Sequence, residues 1–167
     1  MITVNNNVTD ELVMNAIKNN LAIIRFDMNR KVAYVNDLFA QTLGYTIEEL
    51  YEKSHEEFCF PAFAKSTDYE KFWRNLLSGK SFQDKVERMD ASGNRVWLEA
   101  TYMPVFAEGT RRKVIGVLKI ATDITNRQNS IVQVADDLKQ MSAELFNRSE
   151  VGITRSEELG DTIKRIA

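Results

Sequence analysis

His55 and Cys59 carry the side chains best suited to chemistry, and they lie four positions apart. On a helix this spacing puts both on one face, as a nucleophile with its base or a histidine ligand to haem iron would require. They are the single histidine and the single cysteine of the chain, which excludes an internal disulfide and a zinc site built from several such ligands. The pair lacks a third, orienting group and an oxyanion site, so we predict a structural histidine and a packed cysteine. We therefore expect neither an enzyme nor a metal site.

Aromatic residues around this pair predict a second kind of site, a pocket for an apolar ligand. Phe58, Phe60 and Phe63 follow His55 closely, and Trp73 comes shortly afterwards. Such rings line ligand pockets between helices and a sheet, but they also fill small cores completely. We predict a pocket and keep a solid core as the alternative. The predicted lining residues are His55, Phe58, Phe60, Trp73, Leu98, Ala100 and Leu118.

Two blocks of strands must hold this aromatic segment in place. Residues 21–28 and 31–35 alternate apolar and polar side chains on either side of Asn29-Arg30, which predicts a β-hairpin. The period-two pattern returns over residues 82–89, 95–106 and 114–122, with turn residues between the runs. The sequence therefore predicts an α+β domain with a five-stranded antiparallel sheet.

Helices precede and connect the two blocks. An amphipathic helix is predicted from Thr9 to Lys18, and Asn36 is expected to cap a helix that Gly44 ends. Capping boxes that start at Thr46, Ser54 and Thr67 predict three more short helical segments. We expect the short helices on one face of the sheet.

Strand parity assigns side chains to the two faces of the sheet. The predicted pocket face carries Val96, Leu98, Ala100, Tyr102, Leu118 and Ile120. The other face carries Trp97, Met103, Ile115 and Val117. These four residues form an apolar patch that is too large to be left in water, so we expect the first helix and a second copy of the chain to cover it. A homodimer is predicted.

The sequence changes character at Asp123-Ile-Thr125. Thr125 and Gln128 have the spacing of a capping box, and residues 125–167 are mostly good helix formers without proline. Apolar and small residues repeat there every seven positions, which is typical of a coiled coil or helical bundle that needs a partner helix. One line of the predicted seam comprises Ile131, Leu138, Leu145, Gly152, Leu159 and Ile166. The second line comprises Ala135, Ser142, Ser149, Ser156 and Ile163.

Composition argues against several functions. The formal net charge is −2, and clustered Lys and Arg for binding nucleic acid are lacking. No apolar run approaches the roughly 20 residues of a membrane span, and the first residues lack the basic and apolar regions of a signal peptide. We expect a cytoplasmic protein.

The hairpin, the Asn36-capped helix, Gly44-Tyr-Thr-Ile-Glu-Glu-Leu50, three long strands and Asp123-Ile-Thr125 together resemble a PAS sensory domain. Within that family, His55-Glu-Glu-Phe-Cys59, Phe72-Trp73 and residues 92–104 are similar to the PAS sensors of methyl-accepting chemotaxis proteins, including aerotaxis receptors. The resemblance implies an N-terminal cap helix over residues 1–19, a sensor domain over 20–124 and a signalling helix over 125–167. It also implies a downstream chemoreceptor signalling bundle.

The resemblance implies a small ligand or cofactor. FAD is a candidate because aerotaxis receptors hold it, and haem is a candidate because His55 could ligate its iron. Aerotaxis receptors hold FAD partly through an Arg-His-Pro-Asp segment, and here Cys59-Phe-Pro-Ala62 agrees with it at Pro61 alone, while Trp73 matches a tryptophan of the following helix. The cofactor therefore remains unassigned. We predict a sensor whose Asp123, Ile124 and Thr125 transmit the state of the pocket to the helix. The alternatives are a constitutive dimerisation or docking module, and the sensor of a kinase or cyclase.

Overall fold

A computed structural model describes the backbone of residues 7–166 and the side chains of residues 7–150. The chain divides into two units, residues 1–125 and residues 126–167. The first unit contains strands β1 (Ala22–Phe26), β2 (Val32–Val35), β3 (Phe82–Met89), β4 (Arg95–Phe106) and β5 (Val114–Asp123). They form one sheet in the order β2-β1-β5-β4-β3, and every neighbouring pair is antiparallel. The predicted α+β class and five-stranded sheet are confirmed.

Several helices of the first unit begin or end at residues that satisfy free backbone groups. They are α1 (Asp10–Asn20), α2 (Asp37–Leu43), α3 (Ile47–Leu50), a 3₁₀ helix (His55–Phe58), α4 (Pro61–Ala64) and α5 (Thr67–Leu77). Asn36 Oδ1 accepts from Phe39 N at the start of α2, and Gly44 ends that helix at a φ of 74°. Ser66, rather than the predicted Thr67, caps α5, because its hydroxyl accepts from Tyr69 N.

Asn36 also joins three elements of the first unit. Its Oδ1 accepts a second hydrogen bond, from Ile23 N in β1, at 3.0 Å. Its Nδ2 donates to the carbonyls of Lys18 and Leu21 at 2.9 and 2.6 Å. One buried amide thus fixes the end of α1, the start of β1 and the start of α2.

The turn between β1 and β2 is longer than the predicted Asn29-Arg30 pair, because Asp27 organises a five-residue loop. Asp27 Oδ1 accepts from the backbone N–H groups of Asn29 and Lys31. Arg30 takes a left-handed backbone with a φ of 66°. Its guanidinium donates to both oxygens of Glu70 on α5 at 2.9 and 2.8 Å, and this bidentate ion pair ties the loop to the helix.

The hydrophobic core lies between the short helices and one face of the sheet. Large side chains from the helices meet strand residues such as Phe26 and Leu98, which are fully buried. The helical contribution consists of Phe39, Leu43, Leu50, Phe58, Tyr69, Trp73 and Leu76. The prediction that Leu98 and Ala100 face this core is confirmed, since both are fully buried within it.

The predicted orientation of β5 is wrong. Residues that pair directly across antiparallel strands point to the same face, and Leu118 pairs with Met103 while Ile120 pairs with Thr101. Leu118 and Ile120 therefore lie on the outer face, half-buried. Val117 and Lys119 occupy the core face in their place and are almost completely buried.

The outer face keeps partly exposed apolar residues. Trp97, Met103, Leu118 and Ile120 are half-buried, and Ile115 is 49% exposed. No residue of α1 is buried, and Leu12 is 54% exposed, so α1 leaves part of its own apolar surface uncovered. The homodimer over this face stays a prediction.

The second unit is helical, with α6 running from Thr125 to Ile166. Three predicted seam residues, Ile131, Leu138 and Leu145, are each more than half exposed. The seam positions after residue 150 lie outside the side chains that the structure describes. Among the described residues, no helix combines the length and apolar character needed to cross a membrane.

Candidate functional site

His55 lies in the centre of the core, at the start of the 3₁₀ helix. Ser54 precedes it, and the Ser54 N–H donates to the Glu57 carboxylate at 2.7 Å, which closes the first turn and aims the imidazole inward. The His55 side chain is fully buried. Its Nδ1 lies 3.1 Å from the Tyr69 hydroxyl, and its Nε2 lies 3.0 Å from the Tyr102 hydroxyl. Both ring nitrogens are therefore occupied by tyrosines.

Arg88 decides the direction of these hydrogen bonds. Its Nη2 donates to the Tyr102 oxygen at 3.1 Å, because a guanidinium can only donate. With Tyr102 as the donor to His55 Nε2, the neutral ring carries its proton on Nδ1 and donates it to the Tyr69 oxygen. Burial, together with the charges of Arg88 and Lys119, holds the pKa of His55 well below its ordinary range, so the ring is neutral. Burial also raises the pKa of Tyr102 to about 12, so this phenol keeps its proton.

Cys59 is not an activated nucleophile. Its Sγ lies 3.7 Å from His55 Nδ1, but the thiol is buried and burial raises its pKa. Among the described residues, no group of three or more His, Cys, Asp or Glu side chains is placed to hold a metal ion. The geometry thus agrees with a structural histidine and a packed cysteine.

A cleft with a volume of about 710 Å³ lies beside the edge strand β3. Its lining comes from α4, α5 and β3, and Trp97 and Arg95 of β4 complete it. The lining residues are Phe60, Ala62, Phe63, Asp68, Phe72, Phe82, Lys85, Val86, Glu87, Arg88, Arg95 and Trp97. This size and mostly apolar lining suit a small-molecule site.

Of the seven predicted lining residues, Phe60 alone borders this cleft. Five others, His55, Phe58, Trp73, Leu98 and Ala100, are packed into the core with no more than 2% exposure. Leu118 lies on the opposite face of the sheet. The physical reason is edge-to-face ring packing, in which Phe26 and His55 contact Trp73 at ring-centre distances of 5.9 and 5.1 Å and fill the predicted space.

The same packing decides how well the named cofactors fit. Haem ligation would need a free nitrogen on His55, and both nitrogens are held by tyrosines. A flavin on Trp73 would need an accessible indole, and Trp73 is fully buried. The described residues therefore fit neither haem ligation by His55 nor a flavin against Trp73.

The predicted transmission residues form a compact hydrogen-bonded junction with β4. Thr125 Oγ1 donates to Asp123 Oδ1 at 2.6 Å and accepts from Trp97 N at 3.0 Å. Ile124 N donates to the Trp97 carbonyl at 2.9 Å. The Thr125 hydroxyl thus bonds to the sheet and does not close the predicted capping box.

Comparison with known proteins assigns this architecture to a family. Residues 16–129 match the family model for the PAS fold. The chain belongs to the PAS fold family. The PAS domain of a protein from Colwellia psychrerythraea has the same fold, with a TM-score of 0.59 at 20% identity over 70% of this chain and 99% of that one.

This PAS domain is related in sequence to two longer proteins. Biofilm dispersion protein BdlA of Pseudomonas aeruginosa is 34% identical over 128 residues, which cover 76% of this chain and 30% of BdlA. The aerotaxis receptor of Escherichia coli is 27% identical over 107 residues, which cover 64% of this chain and 20% of the receptor. The predicted relationship to PAS sensors of the aerotaxis kind is confirmed, and the chain spans less than a third of either relative.

Sequence reasoning missed two basic residues in the interior of the PAS domain. Arg88 shares its strand parity with Phe82 and Val86, which could have placed it on the core face. Lys119 gave the opposite signal, because a lysine in mid-strand favours an exposed position. Arg88 is 3% exposed and Lys119 is 1% exposed, so both are interior residues.

Proposed function

We propose that this PAS domain senses a small molecule in the cleft and passes its occupancy through Asp123, Ile124 and Thr125 to α6. The double position of Trp97 is the observation that carries this proposal. Trp97 borders the cleft, and its backbone N–H and carbonyl bond to Thr125 and Ile124. A ligand that moves Trp97 therefore acts directly on hydrogen bonds at the start of α6.

The output of the sensor is a pair of α6 helices. Ile131, Val134, Leu138, Met141 and Leu145 have the alternating three- and four-residue spacing of a coiled-coil seam, and each is more than half exposed. A seam with so much apolar surface is best stabilised by the same helix of a second copy. In this proposal the segment 1–19, of which the structure describes residues 7–19, carries the cap helix, residues 20–124 are the sensor, and residues 125–167 are the signalling segment of a cytoplasmic, non-enzymatic homodimer. The aerotaxis receptor among its relatives supports a chemoreceptor signalling bundle as the downstream partner.

Filling the cleft tests this route without knowledge of the ligand. Ala62 is exposed and borders the cleft, so Ala62→Trp occupies part of the cleft from the rim. We expect amide hydrogen exchange over residues 124–131 to change severalfold in this variant and to stay at the wild-type rate in Ala91→Trp, an exposed position outside the cleft lining. Adding Thr125→Val should remove the change, whereas adding Thr122→Val at an exposed neighbouring position should not.

Equal exchange over residues 124–131 in the filled and unfilled proteins would contradict this route. The same variants in the full-length receptor then report the output. A receptor whose basal output and stimulus response are unchanged by replacing Asp123 and Thr125 together would show that the junction carries no signal.

The filled interior favours a second candidate, a constitutive dimerisation or docking module that senses nothing. The core around His55 and Trp73 is closed, and the exposed α6 seam alone would suffice for association. Native mass spectrometry and thermal shifts across a metabolite panel separate the candidates. A dimer with no bound molecule and no thermal shift would favour the module. A kinase or cyclase as the output domain would replace the chemoreceptor bundle downstream of α6 and leave the cleft and junction unchanged.

A further inference from the structure

Arg88 is a buried cation whose described partners are neutral. It is 3% exposed, and its Nη1 and Nη2 donate to the Glu87 carbonyl and the Tyr102 hydroxyl. Its Nε is buried and has no hydrogen-bond partner. Burying a guanidinium is unfavourable unless a counter-charge and hydrogen bonds replace the lost water. The site therefore has unused capacity for an anion.

A second buried basic group strengthens the imbalance. Lys119 is 1% exposed, and its Nζ lies 4.8 Å from the centre of the Tyr102 ring. The hydroxyl of the same tyrosine accepts the hydrogen bond from Arg88. Among the residues whose side chains are described, neither Arg88 nor Lys119 takes part in an ion pair. Among the described residues, two basic groups thus share one core that holds no buried carboxylate.

The cleft gives such an anion a way to reach Arg88. Arg88 lines it, and the Arg88 guanidinium lies 5.6 Å from the centre of the Phe63 ring on the same wall. The other charged lining residues are Asp68, Lys85, Glu87 and Arg95, and all are more exposed than Arg88. Glu87 and Arg95 pair with each other at 3.3 Å. The buried charge in the cleft is therefore positive, and the carboxylates of the lining lie at more exposed positions.

We propose that the cleft binds a small amphipathic carboxylate, with its apolar body against Phe63, Phe72 and Phe82 and its carboxylate paired with Arg88. A guanidinium matches a carboxylate in shape and donor number, and the phenyl rings of the cleft lining provide contacts for an apolar body. The proposal rests on the cleft being the input site of the proposed function and adds the chemical class of the input.

A matched pair of probes isolates the charge. 4-Phenylbutanoate and 4-phenylbutan-1-ol share an apolar body and differ in the anionic group. By calorimetry of the whole chain at low salt, we expect the carboxylate to bind about tenfold or more tightly than the alcohol. Arg88→Gln should remove that difference. Arg95→Gln, an exposed cleft residue, should keep it.

A measurement on the wild-type protein covers the case in which Arg88→Gln does not fold. The Nε–Hε resonance of Arg88 in ¹⁵N-arginine-labelled protein should shift with 4-phenylbutanoate and stay in place with 4-phenylbutan-1-ol. Equal affinity for the two probes, no binding of the carboxylate, or a stationary Arg88 resonance would each overturn the proposal. If the carboxylate fails while Ala62→Trp still alters exchange at the junction, the ligand class is wrong and the sensing route stands. If the carboxylate binds while exchange at the junction does not respond, the ligand class stands and the sensing route is wrong.

Discussion

His55 should make this PAS domain sensitive to mild acid. The ring is neutral in the fold, because burial and the charges of Arg88 and Lys119 lower its pKa well below the ordinary value. In the unfolded chain the ring titrates at about pH 6.5. Below that pH the unfolded state binds a proton that the folded state does not bind. The contribution of the neutral ring to the free energy of unfolding is therefore complete above the unfolded pKa and is lost as the pH falls.

The magnitude follows from proton linkage. For a ring that stays neutral when folded, the free energy of unfolding decreases by RT ln(1 + 10^(6.5 − pH)), which is less than roughly 0.1 kcal/mol at pH 7.5 and about 1.4 kcal/mol at pH 5.5. His55 is the single histidine of the sequence, so no other imidazole adds to this window. A loss of this size is a substantial part of the typical stability of a small domain.

The assay is urea unfolding of the wild type and of His55→Gln at several pH values between those limits. Glutamine can donate and accept as the neutral imidazole does, but it does not titrate. The carboxylates and the N-terminus titrate in both proteins and cancel in the difference. We expect the stability gap between the two proteins to narrow by about 1.4 kcal/mol on acidification. A gap that stays constant, or an imidazole NMR signal of the folded protein that titrates near pH 6.5, would refute a neutral buried His55.

Two further predictions concern stability. Asn36→Ala should lower the free energy of unfolding by about 2–4 kcal/mol, because it removes the cap of α2 and leaves the buried Ile23 N–H without its acceptor. In the same urea titration, Asn29→Ala in the exposed turn should lower it by less than about 0.5 kcal/mol. Lys119→Met should raise stability by about 1–4 kcal/mol at neutral pH, because burial lowers the pKa of Lys119 and the unfolded chain binds that proton more tightly than the fold does. The difference in the free energy of unfolding between Lys119→Met and the wild type should therefore decrease as the pH rises towards about 10. A difference that does not depend on pH would contradict this cause.

Local signals explain why much of the fold could be predicted from the sequence. The caps at Asn36 and Thr46 depend on residues within three positions, and Gly44 supplies the left-handed backbone at its own position. The antiparallel strands followed from alternation within each run. Their order in the sheet depends on the pairing of β1 with the distant strand β5, which alternation within a run does not show.

The errors occurred where a distant strand decides the outcome. Both faces of β5 are apolar, so alternation alone could not choose between Leu118 and Lys119 for the core. The pairing of Tyr102 with Lys119 sets that choice, and the tyrosine ring then covers the amino group. Thr125 had the spacing of a capping residue, but the N–H of Trp97, 28 positions away, competes for its oxygen. The cleft was misplaced for the same reason, because ring packing among Phe26, His55 and Trp73 closed the predicted space.

Tyr102 connects the acid sensitivity of His55 to the proposed anion site. Its hydroxyl contacts His55 on one side and Arg88 on the other, so a carboxylate at Arg88 would offset one of the charges that disfavour protonation of His55. Binding free energies are reciprocal, and a ligand that raises the pKa of His55 must itself bind more tightly as the pH falls. Burial holds the pKa of His55 well below its ordinary range, so the ring stays neutral at both pH 7.5 and pH 6.0. Calorimetry of 4-phenylbutanoate at these two pH values, both above the range where the carboxylate itself becomes protonated, should therefore show the same pH dependence for the wild type and for His55→Gln. Tighter binding at pH 6.0 by the wild type alone would show that the bound carboxylate brings the titration of His55 into this range through Tyr102.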